Sequence, residues 1–204
     1  MPSKNKMRFS TLIVIAFSAL SVHAAKTATT AEKKLNVHQA VGKCTDNMRL
    51  AATELRSVRL DVDGFSSERG QEGAALIGEK IENLEKVIGK VARSCCAAGG
   101  SKKQAVLANE HIDAILQSLS TLTPEVIATL SSITGKQAQL DQLPMLKPLL
   151  AADVQKLYHN IDKLNVCILQ SAPSIRHAMA SQLTSQMNGG FLNVMAAFSP
   201  QLMI

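Results

Sequence analysis

Leu150, Val154, Leu157, Ile161, Leu164 and Ile168 recur at alternating steps of four and three residues. With 3.6 residues per turn, that spacing lays the aliphatic side chains along one stripe of a helix. No His, Asp or Glu interrupts the stripe. A helix of this kind must bury its stripe against other helices, so its inner face offers apolar contact rather than chemistry.

The same spacing recurs along the chain. Val41, Cys44, Met48, Ala52, Leu55 and Val58 mark the inner face of a first helix over about Leu35 to Leu60. Asp63-Gly64 and Ser66-Ser67 then read as a turn. Ile77, Ile81, Leu84, Ile88, Val91 and Cys95 define a second helix over about Glu68 to Ala97, ended by Gly99-Gly100. Ser101 is expected to cap a third helix with Ile112, Ile115, Leu116 and Leu119 inward. Thr123 is predicted to cap a fourth, with Pro124 at its first position and Glu125 favoured by the helix dipole. Its inner face is Val126, Ile127, Leu130 and Ile133, and Gly135 is its stop. Leu140 to Pro148 reads as a loop, and Pro148 to Ser171 as the fifth helix. Pro173 is expected to start a sixth, reaching Phe198 along Ile175, Met179, Leu183, Met187, Phe191, Val194 and Phe198, with Gly189-Gly190 as a site for a kink. No alternating strand pattern is present. The fold class is therefore all-α, a bundle of five or six amphipathic helices in a single domain over 35–199.

Residues 1–24 read as a secretory signal peptide. Lys4, Lys6 and Arg8 form a basic start, Thr11 to Leu20 is uncharged and mostly apolar, and Val22-His23-Ala24 offers a cleavage site. The apolar run falls short of the about 18 residues that a membrane helix needs, and no transmembrane segment is expected in the mature protein. Residues 25–34 read as a flexible lead, and 200–204 as a C-terminal tail. Removing residues 1–24 takes away those three cations and no acid, so the formal charge falls from +6 to +3. The remaining charges are interspersed and Trp is absent. Nucleic-acid binding, which wants a clustered basic face with stacking aromatics, is set aside.

Cys44, Cys95, Cys96 and Cys167 form an even set in a chain read as exported, which favours disulfides. Bonding the neighbours Cys95 and Cys96 is disfavoured by disulfide geometry. Cys44 then pairs with one of them and Cys167 with the other, stapling an early and a late helix to the end of a middle one.

Catalytic patterns are missing: there is no Gly-x-Ser-x-Gly elbow, phosphate-cradling Gly loop or His-Glu-x-x-His. His38, His111, His159 and His177 fall on different helices. Asp61-Val62-Asp63-Gly64 hints at a calcium loop but lacks the closing Glu at the required spacing, and a turn is the better reading. The reading is therefore not an enzyme, with no catalytic residue, metal or cofactor. Met179, Met187 and Met195 recur every eight residues on the last helix, which suits a deformable apolar wall.

From Ile112 onwards the order of elements is specific. Leu119-x-x-Leu122-Thr123-Pro124 precedes Ile133-Thr134-Gly135-Lys136-Gln137-Ala138-Gln139-Leu140 and Leu143-Pro144. Ala151-Ala152-Asp153-Val154-x-x-Leu157, Ser171-Ala172-Pro173 and Ala196-Ala197-Phe198-Ser199 follow. This order resembles the fungal hydrophobic surface-binding protein A family, which includes the cell-wall galactomannoproteins, over most of residues 36–199. The resemblance implies a secreted, non-catalytic helical bundle that adsorbs to hydrophobic surfaces and helps recruit secreted hydrolases. It also implies fatty-acid binding in a cavity between helices. The four cysteines depart from the family pattern, and the absence of a Ser/Thr-rich tail argues against covalent wall attachment.

The expected function is thus a secreted, extracellular or cell-wall-associated binder of hydrophobic surfaces or long-chain lipids. Leu157, Ile161, Leu164, Met179, Leu183, Met187 and Phe191, from the last two long helices, are the expected ligand-lining residues. The alternative is a secreted protein-binding effector or hydrolase inhibitor built on a four-cysteine bundle.

Overall fold

A computed structural model describes residues 36–66, 70–99, 106–142 and 146–198. The signal peptide, the lead, the C-terminal tail, the Ser101 cap and the Leu143-Pro144 break lie outside the described residues. The chain divides into a leading unit of residues 1–39 and a unit of residues 40–204 that holds the core.

The described residues are helical, with no strand among them. Helix α1 runs over 36–63. It is followed by α2 (Gly70–Ala98), α3 (Asn109–Gly135), the short α4 (Gln137–Leu140) and α5 (Leu146–Ser171). A 3-10 turn (Ser174–Arg176) leads into α6 (His177–Phe198). Helix α2 packs along α5, α3 along α6, and α5 along α6. Every member of the α5 stripe from Leu150 to Ile168 is buried, as are Val41 to Val58 on α1 and Ile77 to Cys95 on α2 at the expected positions.

Two disulfides join these helices. Cys44 pairs with Cys95, linking α1 to α2, and Cys96 pairs with Cys167, linking α2 to α5. Successive helical residues point about 100° apart, so adjacent cysteines on α2 reach two different neighbours. The bundle is disulfide-stapled, and all-α as expected.

The structure corrects the reading of residues 101–135. Thr123 does not cap a helix, and Pro124 does not begin one: both lie inside the continuous α3. A proline there removes one amide donor and crowds the carbonyl four residues back. Nearby hydroxyls take up carbonyls of the preceding turn. Thr123 Oγ1 donates to Leu119 O at 2.8 Å, Ser120 Oγ to Gln117 O at 2.7 Å and Thr121 Oγ1 to Gln117 O at 3.3 Å. What holds the helix together is packing, since Leu119, Leu122, Val126, Leu130 and Ile133 form one buried stripe across the proline.

Boundaries shift elsewhere. Helix α1 continues through Asp63, α5 begins at Leu146 with Pro148 in its first turn, and α6 begins after the 3-10 turn instead of at Pro173. The inner face of α6 also differs from the expected stripe. Ile175 is 71% exposed and Met179 46%, whereas Ala180, Thr184, Met187, Phe191, Val194 and Phe198 are buried. The observed stripe alternates steps of four and three. The expected one took four steps of four between Ile175 and Phe191, which rotates it about 160° around the helix. The helix is unbroken through Gly189-Gly190. A Cβ on Gly190 would stand 3.2 Å from Leu130 Cδ1, so the glycine lets α6 approach α3 closely.

Polar contacts lock the ends. Arg176 grips Asp113 with two hydrogen bonds, at 2.5 and 2.9 Å, tying the 3-10 turn to α3. Lys80 pairs with Asp61, and Gln137 Nε2 donates to Ala197 O at 2.8 Å.

The hydrogen bonds from Arg176, and then its charge, hold the Asp113 carboxyl below the usual carboxylate range. A depressed folded value means that the pair's stabilisation is present above the unfolded carboxylate range and is lost as pH falls through the folded value. Arg176→Met should return Asp113 to the ordinary range, which an NMR titration of its carboxyl will read. Cys44 and Cys95 are buried, while Cys96 and Cys167 are partly exposed. Mild thiol treatment should therefore open Cys96–Cys167 first. Alkylation and peptide mapping after brief reduction will give the order.

Candidate functional site

All five long helices contribute to a small void of about 20 Å³ within the bundle. Helix α1 contributes Leu55 and Val58, α2 contributes Ile81, Leu84 and Ile88, and α3 contributes Val126, Thr129, Leu130 and Ile133. Helices α5 and α6 contribute Leu157, Ile161 and Phe191. Thr129 is the one polar residue of this lining. Its hydroxyl is engaged by Leu55 O at 3.1 Å and Glu125 O at 2.8 Å, so it presents no free polar group to the void. An apolar void of this size stays dry, because a water inside would have no partners.

Charge is kept at the rim. Glu125, next to Val126, takes a hydrogen bond from Arg56 at 2.5 Å and pairs with Arg59 at 3.5 Å. The Glu125 hydrogen bond, and then its negative charge, holds the Arg56 guanidinium above its ordinary pKa. This cluster ties α1 to α3 outside the apolar interior. On the α5–α6 side, Tyr158 backs Phe191, with ring centroids 5.6 Å apart and planes tilted by 47°.

The expected ligand-lining residues separate into groups. Leu157, Ile161 and Phe191 line the void. Leu164 and Met187 are fully buried but stand elsewhere in the core, Leu183 is half-buried, and Met179 is on the surface. Sequence reasoning confined the site to the last two helices. The structure adds nine lining residues from α1, α2 and α3. All but Thr129 carried the inner-face signal of their stripes, and nothing local marks them as void-lining. A second, open feature is a groove of about 640 Å³ between α2 and α5. Its floor includes Ala92, Ala97, Val166 and the Cys96–Cys167 bond, and Arg93, Asn160, Asp162 and Lys163 make a mixed polar rim.

Among the described residues no group of three or more His, Cys, Asp and Glu side chains is placed to hold a metal ion. None of the described helices is long and apolar enough to cross a membrane.

No protein-family model matches the chain, and no curated protein matches it in sequence. Solved structures do match in fold. The crystal structure of AfMP4p in complex with palmitic acid superposes with a TM-score of 0.69 at 17% identity, covering 78% of this chain and 99% of that one. Ligand-binding domain 2 of the Penicillium marneffei MP1 protein, complexed with multiple arachidonic acids, gives 0.63 at 15% identity over 80% and 96%. Domain 1 of the same protein, also with arachidonic acids, gives 0.54 at 17% identity over 81% and 99%. The chain thus shares the helical fold of fungal proteins solved with fatty acids bound.

Phe191 joins the void to Tyr158, and truncating it tests how tightly the interior is closed. Phe191→Ala should lower unfolding stability by about 3–5 kcal/mol, read from urea titration. Benzene added to the variant should recover part of the loss, because an enlarged apolar cavity takes up small apolar solutes.

Proposed function

We propose that this chain is a secreted, non-enzymatic carrier of long-chain, fatty-acid-like lipids, which it holds between its helices along the bundle axis. The observation that carries the reading is the void within the bundle. Five helices converge on it with a lining that offers no free polar group. Fold neighbours solved with palmitic and arachidonic acid support it. Membership of the hydrophobic surface-binding protein A family, with cell-wall association and adsorption to hydrophobic surfaces, is part of the same proposal. It rests on the motifs from Leu119 to Ser199 and on the shared fold. Export is supported by the pattern of residues 1–24 and by two disulfides.

A void of about 20 Å³ is far below the about 300–1,000 Å³ of a ligand pocket. Uptake therefore requires the helices to part. The staples indicate where. Helices α1, α2 and α5 are joined through cystines, whereas α3 and α6 are held to them by packing, hydrogen bonds and the ion pairs of Glu125 with Arg56 and Arg59. The void lies between these two groups, so moving α3 and α6 outward enlarges it without straining a disulfide. An acyl chain of about fourteen methylenes returns roughly 11 kcal/mol on burial, at about 0.8 kcal/mol each. That is enough to offset the separation of several aliphatic contacts. The α2–α5 groove fits a lipid chain less well, because it is open and its rim is charged.

Delipidated protein should bind palmitic acid and gain stability by mass action, about 2.7 kcal/mol at a hundredfold excess over Kd. Urea unfolding with and without palmitate measures this. An unchanged midpoint across palmitic, oleic and arachidonic acids would sink the proposal.

A further inference from the structure

Two asparagines meet between α5 and α6. Asn165 Nδ2 donates to Asn188 Oδ1 at 2.8 Å. Asn165 is 2% exposed, and its own Oδ1 has no hydrogen-bond partner. A buried amide oxygen left unpaired carries a desolvation penalty, and such groups are rare in folded proteins.

The position of the pair points to what relieves it. Asn165 lies one helical turn after Ile161, and Asn188 three residues before Phe191. Ile161 and Phe191 both line the void. The amide pair thus lies about one helical turn from void-lining residues on both α5 and α6. Thr184, buried one turn before Asn188, donates its hydroxyl to Ser181 O at 3.1 Å.

We infer that Asn165 Oδ1 is the head-group acceptor for the lipid held between the helices, and that it selects long-chain lipids whose head donates a hydrogen bond. The inference rests on the lipid-carrier reading and deepens it. A hydroxyl supplies the proton that a lone amide oxygen needs. An ether oxygen only accepts, whereas a fatty acid brings the proton in its neutral form, which an apolar interior favours over the carboxylate. A pair that merely set the register of α5 against α6, as buried asparagines do in coiled coils, would leave ligand choice untouched.

The test uses delipidated full-length protein and three chains of equal length: hexadecan-1-ol, 1-methoxyhexadecane and hexadecane. Affinities are read by displacement of a fluorescent long-chain probe. Wild-type protein should bind the alcohol about tenfold more tightly than the methyl ether, the value of one satisfied buried hydrogen bond. Asn165→Leu should bring the two to the same affinity and leave hexadecane unaffected. Equal binding of alcohol and ether by the wild type overturns the inference, and so does a preference that survives in N165L. The wild-type comparison needs no variant, so a misfolded N165L leaves the test standing. If the fluorescent long-chain probe itself does not bind, the lipid reading fails and this inference with it, whereas a bound probe that the alcohol displaces no better than the ether fails the inference alone.

Discussion

The bundle depends on the end of α2, where Cys95 and Cys96 stand side by side and reach two different helices. One bond closes a separation of 51 residues to α1 and the other a separation of 71 residues to α5. In the chain-entropy account each removes about 4 kcal/mol of freedom from the unfolded chain. The two closed segments overlap, so their effects do not simply add. The consequence for the fold is geometric as much as energetic. Three helices are fixed around one point, and their inner stripes are brought into register over the turns that follow.

Against that stapled trio, α3 and α6 pack as a pair without a covalent tie. Gly190 allows the close approach of α6 to Leu130, and the Arg176–Asp113 contact locks the start of α6 to α3. The apolar void sits where the trio and the pair meet. A core closed to about 20 Å³ is a low-energy arrangement of aliphatic stripes, and a chain-shaped ligand offers those stripes an equivalent apolar partner. In the proposed carrier, uptake would exchange one set of apolar contacts for another.

Much of this was legible in the residues, and the exceptions have physical causes. The α5 stripe from Leu150 to Ile168 is buried at every position, because its four-three spacing tracks the helix without drift. The α6 stripe was misphased, because large apolar side chains at Ile175 and Met179 outweighed the small Ala180 and polar Thr184 that face inward. Where helices approach closely, small residues take the inner positions and hydrophobicity ranks mislead. Pro124 reads locally as a start signal, yet Leu119, Leu122, Val126 and Leu130 keep one phase through it. A continuous buried stripe outweighs a single lost hydrogen bond. The even cysteine count and the exclusion of a Cys95–Cys96 bond could be read locally, whereas the choice of partner for each required the relative placement of three helices. The size of the void was not legible at all, since stripe spacing is identical in a tight bundle and a hollow one.

The most direct test of lipid carriage is native mass spectrometry of the full-length protein, purified without a delipidation step and then incubated with palmitic acid. The account predicts an added mass of one or more long-chain lipids that survives gentle transfer and is released on unfolding. A bare polypeptide mass, both as purified and after incubation, would contradict it.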